Sequence, residues 1–135
     1  MFVVRVKCPH PDCGKSLIDP KYVLNGAPAT IMKARKGAKE GNIQLSSIYD
    51  DYTVVIPKEL DIHEGDIVIL SCPNCGKPFP EMGVCPDCGA PLAKINLESG
   101  GEIVICSRKG CKHHGIEFSN SNALLAFLEA NSALK

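Results

Sequence analysis

The chain has 135 residues, balances 15 Lys and Arg against 15 Asp and Glu, and carries eight cysteines. That length holds one compact domain or two small ones. A formal charge of zero argues against a polyanion binder acting by bulk charge, and the longest apolar run, Ile67-Val68-Ile69-Leu70, is too short to span a membrane.

Residues 2–7 (Phe-Val-Val-Arg-Val-Lys) read as a short strand running into the first cysteine pair, Cys8 and Cys13. A stretch of 58 residues, 14–71, then separates that pair from the next. Within it, residues 28–36 suit a strand or a short helix, and Gly37 and Gly41 bracket a turn. Residues 42–48 alternate as a half-buried strand, and residues 52–56 form another, closed by Pro57. This insert is expected to be a small antiparallel sheet. Residues 66–72 deliver a strand into Cys72 and Cys75, and residues 101–106 do the same before Cys106 and Cys111. From Ser119 the chain offers capping residues and an apolar face of Leu124, Leu125, Phe127 and Leu128, which predicts a C-terminal helix.

The cysteines fall in four pairs, Cys8/Cys13, Cys72/Cys75, Cys85/Cys88 and Cys106/Cys111, with spacings C-x4-C, C-x2-C, C-x2-C and C-x4-C. Each pair can give two thiolates to one tetrahedral ion, so four pairs make two complete four-cysteine sites. Four disulfides are the alternative. They need an oxidising compartment, and the N-terminal sequence lacks the basic, apolar and small-residue segments of a secretory leader. The expectation is a cytoplasmic protein with two zinc ions, iron being the alternative metal. Eight thiolates and two divalent ions would bring the loaded chain to about −4.

Three of the pairs end in a common phrase. Cys13-Gly14-Lys15-Ser16-Leu17, Cys75-Gly76-Lys77-Pro78-Phe79 and Cys88-Gly89-Ala90-Pro91-Leu92 share the form Cys-Gly-x-Ser/Pro-Leu/Phe. Glycine after the cysteine suits a left-handed backbone that turns amide hydrogens toward thiolates. Lysines and arginines beside the cysteines, Lys7, Lys15, Lys77, Arg108, Lys109 and Lys112, offset the negative charge of each site. His10, His113 and His114 are polar neighbours that could substitute as ligands.

Residues 85–114, under a quarter of the chain, run Cys-x-x-Cys-Gly, a leucine, a Gly-rich turn, an apolar strand and then Cys-Ser-x-x-x-Cys. This segment resembles the four-cysteine zinc finger of type IA DNA topoisomerases. The resemblance implies that Cys85, Cys88, Cys106 and Cys111 share one zinc. Cys8, Cys13, Cys72 and Cys75 would then share the other; the rival is a crossed arrangement in which Cys8/Cys13 meets Cys85/Cys88.

The expected fold is therefore small and mainly β: two zinc ribbons, the first with a β-rich insert, plus a C-terminal α-helix. The expected units are residues 1–80 (insert about 18–66), 81–118, and 119–135, the helix packing on the second ribbon. No phosphate loop, nucleophile elbow or His-Glu-x-x-His is present, so no catalytic or cofactor-binding residue is assigned and the chain is expected not to be an enzyme. The expected function is that of a zinc-binding adaptor or accessory subunit with structural metal sites, docking on a larger protein or complex. The alternative is a nucleic-acid-binding zinc ribbon, favoured by the topoisomerase resemblance and the basic stretch 33–39.

Overall fold

The computed structural model describes residues 2–49, 51–111, 114–117 and 125. Its strands are β1 (Val6–Lys7), β2 (Ile18–Leu24), β3 (Ala27–Lys36), β4 (Lys39–Leu45), β5 (Val54–Val55), β6 (Ile69–Ser71), β7 (Glu81–Val84), β8 (Pro91–Leu97), β9 (Glu102–Cys106) and β10 (His114–Glu117). A 3-10 turn, Lys58–Leu60, lies between β5 and β6.

These strands form two five-stranded sheets, and every pairing is antiparallel. In the first sheet the long strand β3 is central. Its residues 30–36 pair with β4, whose far end takes β5. Its other edge is divided: β2 pairs with residues 27–30 and β6 with residues 33–35. The second sheet has the same plan around β8. There β9 and then β10 lie on one side, while β7 and β1 divide the opposite edge.

The sequence explains the central strands. Ala29, Ile31, Met32 and Ala34 in β3, and Leu92, Ala93, Ile95 and Leu97 in β8, are all buried. In β3, covered on both faces, residues 29–32 are a continuous buried run, whereas β8 alternates from Ala93 on. One core joins the two sheets, combining Val4, Val6, Leu17, Met32 and Ile43 with Leu70, Phe79, Ile95, Leu97 and Ile103.

The expectation of two ribbons with a C-terminal α-helix is corrected by this architecture. No α-helical segment is found among the described residues; the predicted helix from 119 falls outside them apart from Leu125, whose backbone is helical. What was expected to be an insert on a ribbon is a full sheet. The reason is the length of β3, which accepts both β2 and β6 along one edge. Residues 28–36, open to either reading in the sequence, are strand because both edges of that segment find hydrogen-bonding partners. No described helix is long and apolar enough to cross a membrane.

Candidate metal centres

Each cysteine pair sits at the tip of a hairpin. Cys8 and Cys13 lie between β1 and β2, Cys72 and Cys75 between β6 and β7, Cys85 and Cys88 between β7 and β8, and Cys106 and Cys111 between β9 and β10. The first three tips are built alike. The amide of the leading cysteine donates to the carbonyl two residues beyond the trailing one: Cys8 to Lys15 (2.9 Å), Cys72 to Lys77 (3.1 Å) and Cys85 to Ala90 (2.7 Å). The following glycine amide closes the turn, Gly14 on His10 (3.1 Å), Gly76 on Cys72 (2.9 Å) and Gly89 on Cys85 (2.8 Å). These glycines have φ of +61°, +77° and +78°, and a Cβ at any of them would meet nothing within 4 Å. Backbone conformation, rather than space, is what demands glycine there.

The fold brings the eight sulfurs into two tetrads, Cys8/Cys13/Cys72/Cys75 and Cys85/Cys88/Cys106/Cys111, the sulfurs of each lying within 4.8 Å of one another. Sequential grouping is thus what the chain makes, not the crossed one. In the first tetrad Cys8 and Cys75 sulfurs are 3.8 Å apart, and Cys13 and Cys72 sulfurs 3.9 Å. In the second the distances are 3.8 Å for Cys85–Cys111 and 3.4 Å for Cys88–Cys106. No disulfide joins any of the eight, and Cys8, Cys72 and Cys85 are buried. Each tetrad could hold one metal ion.

The electrostatics favour a cation in both. Burial pushes the Cys8 thiol up to about 12 and does the same to Cys106. Against that, the Ala90 amide brings Cys88 down to about 6, and the Lys77 amide lowers Cys75. Further amides point at sulfur: Asn74 donates to Cys72 Sγ (3.3 Å) and Arg108 to Cys106 Sγ (3.5 Å). Backbone donors therefore support part of the negative charge in each tetrad. Four thiolates in one small volume still repel one another, and a divalent ion is the group that reconciles them.

The two tetrads differ in what they join. The hairpin carrying Cys8 and Cys13 enters from β1 in the second sheet and leaves by β2 in the first. The hairpin carrying Cys72 and Cys75 enters from β6 in the first sheet and leaves by β7 in the second. The first tetrad therefore gathers the two crossings between sheets. His10 Nε2 also meets Pro78 O at 2.9 Å, and Lys77 pairs with Asp12 at 2.5 Å, so each crossing holds the other. The second tetrad is built from β7 to β10 alone, all in the second sheet.

Sequence reasoning missed one cluster. Asp51 Oδ2 accepts bonds from Asn25 Nδ2 (2.7 Å) and Ser46 Oγ (2.7 Å), and Asp51 Oδ1 accepts one from Thr53 Oγ1 (2.8 Å). Those donors, Asn25 foremost, hold the Asp51 carboxyl far below its ordinary value. No motif marks it, because Asn25 and Ser46 lie at different distances along the chain from Asp51. A cavity of about 380 Å³ opens between the sheets, with an aliphatic floor that includes Val4, Met32, Ile43 and Ile95. Neither His10 nor His63 lines it, so no described imidazole is placed to act there as a base. His113 lies outside the described residues.

No family model, curated protein or solved structure matches the chain. The likeness of residues 85–114 to topoisomerase zinc fingers rests on the motif alone.

Proposed function

We propose that the chain is a two-zinc structural scaffold that acts as a non-catalytic adaptor or accessory subunit, with Cys8, Cys13, Cys72 and Cys75 on one ion and Cys85, Cys88, Cys106 and Cys111 on the other. The observation that carries this reading is the closure of both tetrads by four sulfurs. A tetrahedral ion with zinc–sulfur bonds of about 2.3 Å has ligand–ligand edges of about 3.8 Å. The sulfur separations of 3.8, 3.9, 3.8 and 3.4 Å match that figure with little adjustment. Four protein ligands leave no open position for substrate or activated water, which is the signature of a structural rather than a catalytic zinc.

What supports a role in binding a larger protein is the set of side chains that the frame exposes. Tyr22 and Val23 on β2, and Met82 and Val84 on β7, are large apolar side chains left in solvent on strands that divide a sheet edge. Such strands offer both apolar contact and free backbone groups to a partner. The test is purification of the tagged chain from its native source, with metal content measured on the same sample. Two zinc ions per chain and one protein retained at fixed stoichiometry are expected. Fewer than two ions, iron in place of zinc, or retention of nucleic acid alone in a salt-dependent manner would overturn the reading.

A further inference from the structure

The two sheets repeat one another strand for strand. β1 to β5 correspond to β6 to β10, and the correspondence reaches individual hydrogen bonds. Leu17 N donates to Val6 O and Phe79 N to Leu70 O, both at 2.9 Å. Ile31 N meets Leu17 O and Lys94 N meets Pro80 O, both at 2.8 Å, the acceptor in the second copy lying one residue further along. Ser47 Oγ donates to Pro28 O (2.6 Å), and Ser107 Oγ to Pro91 O (2.7 Å). The bridge Val3–Ile48 has its counterpart in Ile67–Arg108. The pairs Leu45–Val54 and Ile105–His114 enclose connectors of equal length, 46–53 and 106–113. Both β2 and β7 carry an irregularity at the same place.

We infer that the chain is an internal duplication whose two copies exchange their first strands, and that the Asn25/Ser46/Asp51 cluster is the metal-free counterpart of the second tetrad. The exchange is explicit in the pairing: β1 joins the sheet of the second copy at β8, and β6 joins that of the first at β3. Convergence on a hairpin plan explains antiparallel strands. It does not explain the reciprocal crossing or the matched serine-to-proline bonds. The sequence agrees once the strands are superposed. Cys13-Gly14-Lys15 matches Cys75-Gly76-Lys77, Gly26-Ala27-Pro28 matches Gly89-Ala90-Pro91, and Gly41-x-Ile43 matches Gly101-x-Ile103. The cavity between the sheets obeys the same relation, lined by Val4 with Val68, Ile43 with Ile103 and Leu45 with Ile105.

This assignment gives the tetrads different origins. The Cys8/Cys13 and Cys72/Cys75 hairpins are equivalent, so the first ion is shared, each copy supplying one hairpin. The second tetrad belongs to one copy. In the other copy Leu24 and Asn25 stand for Cys85 and Cys88, Ser46 for Cys106 and Asp51 for Cys111. The first copy also lacks an equivalent of Pro86-Asp87, which reduces the hairpin to a two-residue Asn25-Gly26 turn with φ of +54° and +91°. Asn-Gly is the turn that closes a hairpin without outside help. The Asn25 side chain then reaches Asp51, as the cysteines of the other copy reach one another across an ion.

The test restores the lost ligands. Leu24-Asn25 is replaced by Cys-Pro-Asp-Cys, together with Ser46→Cys and Asp51→Cys, and bound zinc is counted by native mass spectrometry beside the unaltered chain. Unaltered protein carrying two ions is the reference; a lower count there bears on the zinc reading and not on the duplication. Three ions on the variant are expected. A folded variant that still binds two overturns the inference. If the variant does not fold, the reverse change decides: Cys85-Pro86-Asp87-Cys88 replaced by Leu-Asn, with Cys106→Ser and Cys111→Asp. That chain should fold cooperatively with one ion, and its collapse would overturn the inference.

Discussion

The two halves of the molecule solve one problem by different means. Both must hold the tip of a hairpin against the connector of the next. The second half gathers Cys85, Cys88, Cys106 and Cys111 into a tetrad. The first uses a tight Asn25-Gly26 turn and a carboxylate that accepts from Asn25, Ser46 and Thr53. The first half therefore shows that this position can be closed without metal. At the first tetrad both crossings between the sheets converge, and the metal-free contacts between them, His10 with Pro78 O and Lys77 with Asp12, are exposed. The two tetrads have the same ligands and should differ in what their loss costs.

Cys72→Ser gives the largest effect. It removes a fully buried sulfur from the shared site and frees both crossings at once. Loss of one ion, and destabilisation of more than about 4 kcal/mol, are expected, because metal binding in such sites is coupled to folding. Calorimetry with metal analysis reads both. Cys88→Ser should also release one ion yet leave the first tetrad loaded, with a loss of about 2–3 kcal/mol. Hydrogen exchange should then rise first around residues 64–68 and 107–110. There Gly65, Val68 and Lys109 amides hold the tip of the second tetrad to the strand leading into β6. Equal melting temperatures for the two variants would remove the distinction between a shared and a private site.

The sequence carried the two cysteine tetrads, each able to hold a metal ion, and the architecture only in part. All eight cysteines were legible from spacing, and the left-handed glycines from the phrase that follows three pairs. The strands of the insert were legible as alternation, in particular the one containing Ile43 and Leu45. Which sheet a strand joins was not, because β1 and β6 pair with residues far along the chain and nothing in their own composition marks the exchange. The duplication was hidden for a related reason. Only the knuckles keep their cysteines in both halves, while Asn25, Ser46 and Asp51 share function with their counterparts and no chemistry. Expecting a ribbon with an insert followed from treating the cysteines as the fixed frame; the fixed frame is the sheet.

The equivalence of the halves can be sharpened at their turns. Gly26 and Gly89 occupy the same place before Ala-Pro and have φ of +91° and +78°. A Cβ would meet nothing within 4 Å at either position, so alanine costs only the strain of a left-handed backbone. Gly26→Ala and Gly89→Ala should each lose about 1–2 kcal/mol by denaturant titration, and by similar amounts. A much larger loss at Gly89 would show that the metal amplifies strain there.

The smallest effect, and the one most specific to the metal-free half, is expected from Asp51→Asn. The carboxylate is only half-buried, and its removal should cost about 1 kcal/mol or less at neutral pH. Its pH dependence is the informative part. Bonds from Asn25, Ser46 and Thr53 favour the ionised form in the folded chain, placing its folded pKa well below the ordinary 3.8. The folded state then binds fewer protons than the unfolded one as acid is added. The stabilisation is present in full above about pH 4 and is lost as pH falls toward the folded value. The difference in melting temperature between wild type and Asp51→Asn should therefore be constant from pH 7 to about pH 5 and shrink below pH 4. Comparing the two chains cancels the acid release of metal, which both share. A difference that stays constant into acid would mean that Asp51 acts through shape and not through its charge.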